Sequence, residues 1–161
     1  MSTLKIFPTE TAHWYSVICE AEIAAERALT ESLEQYLVML MMRFSRRPEV
    51  VHDIVALDFL DNLENGGIQM QQNMRDVGDK CLLFSGVFPE LHIRRRVKNS
   101  YFMEVGRSAY RILSDHLIGK DASLFQDLSY EFNGLVYVLK AIRRDGSLDG
   151  QIRQLIGEAG S

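Results

Sequence analysis

Two Glu-x-x-His sequences, Glu10 to His13 and Glu49 to His52, have the residue types and spacing that come nearest to metal chemistry in this 161-residue chain. A glutamate and a histidine three apart share a helix face, and di-iron bundles hold metal through such pairs on two helices. A site of that kind also needs an inward glutamate on each of two further helices, and it gathers its ligands midway along the bundle. Here both pairs fall in first helical turns, where the helix dipole favours glutamate without any metal. Capping and surface roles are expected for both, with no metal and no cofactor. His92 and His116 have no partner at ligand spacing, and His116 beside Asp115 suits a helix C-terminus.

Arginines make the second constellation. Arg94, Arg95, Arg96 and Lys98 precede Arg107 and Arg111. On one continuous helix Arg96, Arg107 and Arg111 would share a face, because eleven residues close about three turns and four more close nearly one. Such a stripe suits phosphate or an acidic partner. Glu104, three before Arg107, offers the alternative of an ordinary ion-pair row. Tyr101, Phe102 and Tyr110 could stack on bases, but they also fall at core-like spacing.

A third group sets Arg75, Asp79, Lys80 and Ser85 against Tyr101, Glu104, Arg107, Ser108 and Tyr110. If their two segments form an antiparallel helical hairpin across Pro89, Gly78 and Gly106 let the helices approach closely. Arg75 and Asp79 are then predicted to face Arg107 and Glu104. The candidate ligand- or anion-binding residues are therefore Arg75, Asp79, Arg96, Glu104, Arg107, Tyr110 and Arg111. No residue is assigned a catalytic role, since nothing here pairs a nucleophile with a base. Nucleophile-elbow, phosphate-loop, dinucleotide-binding and HExxH motifs are all missing.

The elements that must position these residues read as helices. Pro8, Pro48 and Pro89 stand at junctions. After Pro8, Trp14, Val17, Ile18, Ala21 and Ala25 recur at three- and four-residue steps. Ser32 with Gln35 matches a capping box and predicts a restart. From Leu33 to Phe44 the chain is apolar on nearly every side, which predicts a central helix near residues 32–46, buried all round. Further helices are expected from Val50 to Leu63, from Ile68 to Gly86, from Glu90 to Leu117, and from Asp121 or Ser123 through Leu139. A short one near Gln151 to Ile156 leads into a frayed end. The whole predicts an all-α, single-domain bundle of about six main helices over residues 1–161, with 1–8 and 158–161 flexible.

Hydrophobic residues make up 47% and charged residues 25%, values of a chain that folds around a core. A net charge of −4 argues against a nucleic-acid partner, whose phosphates need many Lys and Arg. Cys19 and Cys81 lack CxxC spacing and read as small buried thiols. The N-terminal residues do not read as an export signal, and no apolar run approaches the ~20 residues of a membrane helix, so a cytoplasmic protein without membrane insertion is expected. The function expected first is a non-catalytic helical interaction or regulatory protein, self-associating as a homodimer and binding a further protein. That expectation rests on the apolar helix, whose faces are easier to cover with a second subunit. The alternative is a small-molecule-binding protein or enzyme with an arginine-containing pocket between the helices around 70–86 and 90–117.

Overall fold

A computed structural model of the chain describes residues 9–47, 67–87 and 98–144. The helix expected from Val50 to Leu63, the Glu49 to His52 pair, the Arg94 to Arg96 run and both chain ends lie outside these described residues. Within them the protein is all α: α1 (Glu10–Ala25), α2 (Glu31–Arg46), α3 (Gly67–Gly86), α4 (Asn99–Asp115), α5 (Gly119–Tyr130) and α6 (Phe132–Arg144).

Thr9 caps α1 by accepting the Ala12 N–H at 3.0 Å, and Trp14, Val17, Ile18 and Ala21 form its buried stripe as their spacing predicts. The helix stops where Glu26 turns left-handed at φ 55°. The Glu22 carboxylate then accepts the Leu29 N–H at 3.0 Å and folds the connector back. The expected break is present, but the cap of α2 is Thr30, whose hydroxyl accepts the Leu33 N–H, and not Ser32.

Leu33, Tyr36, Leu37, Val38, Leu40, Met41 and Phe44 are buried on α2. The helix is not enclosed on every side, because Gln35 and Arg46 are exposed and Met39 is 59% exposed. The most enclosed described stretch lies at the end of α3, where every residue from Cys81 to Gly86 is buried.

α3 packs along α4 and against α6, while α1 packs on α2 and α6. The α3 and α4 helices run antiparallel, with Asp79 against Tyr110, Cys81 against Gly106 and Phe84 against Phe102, whose rings lie 5.2 Å apart. Glycine is required at this crossing. A Cβ on Gly106 would stand 2.5 Å from the Phe132 ring and 2.8 Å from Cys81 Cβ, and one on Gly78 would clash with the Tyr110 ring. Close packing thus outweighs the roughly 1 kcal/mol that an interior glycine costs a helix.

Two expected helices differ from those observed. The helix drawn as continuous from Glu90 to Leu117 is interrupted at the extended Lys98, and α4 starts at Asn99. The helix drawn from residue 121 to 139 is two, parted at Glu131. The apolar spacing from Phe125 through Leu139 runs on across that break, so periodicity alone hides it. The halves serve different neighbours: α5 lies on α4, whereas α6 lies on α1 and α3.

Candidate functional site

A buried charge organises the space between α2, α3 and α4. Asp79, on α3, is 3% exposed. Its Oδ1 accepts the phenol O–H of Tyr36 at 2.5 Å and that of Tyr110 at 2.7 Å, and its Oδ2 accepts Arg43 Nη2 at 2.7 Å. An isolated carboxylate here would cost several kcal/mol, so these donors and the guanidinium charge are what make its burial tolerable. Burial pushes the Asp79 carboxyl up, against the opposing pull of Arg43, the two phenols and Arg75. Burial and the Asp79 charge push the phenols of Tyr36 and Tyr110 above the ordinary tyrosine range. Both phenols keep their protons at neutral pH and act as fixed donors.

Tyr36 and Arg43 are not among the residues singled out from sequence. They lie seven positions apart on α2, two turns along one face, and a polar-tipped pair at that spacing in an apolar helix is the signal that could have found them. The α2 and α3 backbones stay apart, and these long side chains bridge the gap.

Arg75 lies one turn before Asp79, and its guanidinium stacks 5.7 Å from the Tyr36 ring centre and 6.0 Å from that of Phe125. Its Nε is 4.0 Å from Asp79 Oδ2, beyond hydrogen-bond reach, and is buried with no hydrogen-bond partner. One carboxylate thus faces two guanidinium groups, and Arg43 makes the bond. Arg75 borders a cleft of about 370 Å3 between α2, α3, α4 and α5. Met39, Leu113, Leu117, Leu124 and Phe125 supply its apolar wall, and Tyr36, Gln71, Gln72, Arg75 and Asp121 its polar points.

Of the seven candidate residues, the structure brings together Arg75, Asp79 and Tyr110. Arg107 and Glu104 do not join them, contrary to expectation. The α3–α4 register sets Tyr110 opposite Asp79, so Arg107 falls nearly one turn away and donates to Asn133 Oδ1 on α6 at 2.6 Å. Glu104 is exposed, and no ion pair ties it to Arg107 or Arg111 among the described residues. Arg111 is exposed on α4 and lines a separate groove with Arg107. Arg96 lies outside the described residues, and the extended Lys98 interrupts the continuous helix on which it was aligned with Arg107. Phe102 and Tyr110 are buried as core spacing predicts, and Tyr101 is exposed.

The first Glu-x-x-His pair has other work. Glu10 accepts Arg46 Nη2 at 2.8 Å, and the His13 ring meets Trp14 edge-on at 5.4 Å. Instead, the side chains able to share a metal ion among the described residues are Cys19, Glu22 and Glu34, whose ligand atoms lie within 4.8 Å of one another. They come from two helices, so no sequence spacing announces them. Burial and Glu34 push the Glu22 carboxyl up to about 7. Glu22 Oε1 is buried without a hydrogen-bond partner, which a proton shared with Glu34 would satisfy. Cys19 is half-buried, not buried as expected, and its thiol is pushed up by burial and by Glu34. Burial pushes the Cys81 thiol up to about 12, which leaves it inert.

No helix among the described residues is long and apolar enough to cross a membrane. Comparison with protein-family models, curated proteins and solved structures finds no match to this chain.

Proposed function

We propose that the protein binds a small amphipathic organic anion, with its acid group at Arg75 and its apolar body along Met39, Leu117, Leu124 and Phe125. One observation carries this reading: Arg75 presents a charge without a hydrogen-bonded counter-ion at the wall of a largely apolar cleft. A cleft of about 370 Å3 falls within the range of small-molecule sites, which are apolar with a few placed polar groups. A planar guanidinium resting beside the touching rings of Tyr36 and Phe125 is steadied for gripping a carboxylate with paired hydrogen bonds. Asp79 serves by holding the polar frame in place, and its oxygens are already engaged, so the reading is binding without catalysis.

Calorimetric titration with octanoate, and with octanol as its neutral counterpart, tests the proposal. Octanoate is expected to bind at least about tenfold more tightly, a difference of about 1.4 kcal/mol. Arg75→Met should erase that preference while the fold persists. Equal binding of acid and alcohol, or an unchanged preference in the variant, sinks the reading.

The self-associating interaction protein expected from sequence stands as a second reading. What favours it are large apolar side chains left exposed: Met39 at 59% on the cleft wall, Ile68 at 74% on α3 and Ile118 at 90% just before α5. Light scattering at low micromolar concentration checks it. A mass of twice 18.4 kDa supports a homodimer, and the 18.4 kDa mass alone removes it.

A further inference from the structure

A second recess, separate from the Arg75 cleft, opens between α4, α5 and the start of α6, with a volume of about 670 Å3. Arg107 and Arg111 stand one turn apart on its α4 wall, and Ser129, Tyr130 and Asn133 line the other side. Arg107 is half-buried, and one bond holds its side chain while another ties its backbone to α5. Its guanidinium bonds the neutral Asn133 Oδ1 at 2.6 Å, and its carbonyl accepts Ser129 Oγ at 2.9 Å. An amide orients the guanidinium but leaves its charge unmatched.

Arg111 has no ion pair among the described residues, although Asp115 follows it by one turn in the same recess. Two cations therefore face one carboxylate, with neither arginine bound to it. Paired guanidinium groups one turn apart suit the oxygens of a phosphate, each able to donate two parallel N–H bonds. Beside them the Tyr130 ring is 85% exposed, an unusual place for a large aromatic, and it offers a flat face at the recess edge.

From this arrangement we infer that the recess is a binding site for a phosphate ester carrying a planar ring, a mononucleotide in chemical class. Arg107 and Arg111 hold the phosphate, and Tyr130 stacks on the ring. The α4 wall is pre-organised, because the Asn133 bond orients the Arg107 guanidinium before any ligand arrives, and that limits the ordering cost of binding.

The test is calorimetry with adenosine monophosphate, ribose 5-phosphate and adenosine as the three probes. The monophosphate is expected to bind at least about tenfold more tightly than either fragment. Arg111→Ala, at an exposed position that leaves the fold intact, should weaken it about tenfold or more, Tyr130→Ala should remove its advantage over ribose 5-phosphate, and Arg75→Met should leave both unchanged. The inference is overturned by no heat from the monophosphate at about 1 mM, by adenosine binding as well as its phosphate, or by affinity indifferent to Arg111→Ala.

Discussion

Replacing Asp79 by asparagine keeps the shape of the buried side chain and removes its charge, so the cost reports what that charge does. The Arg43 bond at 2.7 Å is lost outright, because an amide nitrogen facing a guanidinium sets donor against donor. A hydrogen bond to a charged group contributes about 1.5–3 kcal/mol, and the low end applies here because the Arg43 side chain is 41% exposed and can turn to water. The Tyr36 and Tyr110 bonds survive on the remaining oxygen but fall from charged to neutral strength, about 1 kcal/mol each. A neutral amide is cheaper to bury than a carboxylate, which returns part of this, and the net loss is about 3 kcal/mol. Urea unfolding should show it as a midpoint lowered by roughly 1–3 M at an unchanged slope. Combined with Arg43→Gln, the loss should be smaller than the sum of the single losses by about 1 kcal/mol or more, since both variants break one bond. A midpoint that moves by less than about 0.5 M, or simple additivity in the cycle, would refute the assignment of Asp79 as the counter-ion on which this part of the bundle is built.

Two other outcomes follow from the same packing and electrostatics. Gly78→Ala presses a methyl group against the Tyr110 ring and forces α3 from α4, so a loss of about 2–4 kcal/mol is expected in urea, against nearly none for Asn73→Ala on the same helix. Glu22 has its carboxyl raised to about 7 in the folded chain from about 4.5, so the native state binds more protons and stability falls as pH rises between those values. Glu22→Gln should therefore raise the melting temperature more at pH 8 than at pH 5, and an equal effect at both would contradict the shared proton.

Helix identity was legible in the sequence because apolar spacing is set by burial, and Trp14, Val17, Ile18 and Ala21 show it plainly. The α3–α4 approach was legible too, since Gly78 and Gly106 are costly in helices unless something lies against them. The Glu131 break was not, because a continuous apolar stripe reads the same whether one helix or two carry it. Lys98 hid the start of α4 for a related reason: nothing in its type marks an extended residue, and without that mark the spacing reads as one helix running through it.

Three of the site residues, Arg75, Asp79 and Tyr110, were found because a hairpin relates them locally. Tyr36 and Arg43 were hidden by distance along the chain, 43 and 36 residues from the carboxylate they meet. Their helix looked uniformly apolar, and that suggested enclosure or a partner subunit, whereas its tyrosine and arginine face a charge inside the same chain.

The central claim is that Arg75 meets an anionic ligand, and its own Nε–H resonance reports on that most directly. In a titration of uniformly 15N-labelled protein with octanoate, the Arg75 signal should shift progressively and saturate, with the Arg111 signal unmoved. An Arg75 resonance that stays in place while octanoate binds, or shifts equally with octanol, would contradict the account.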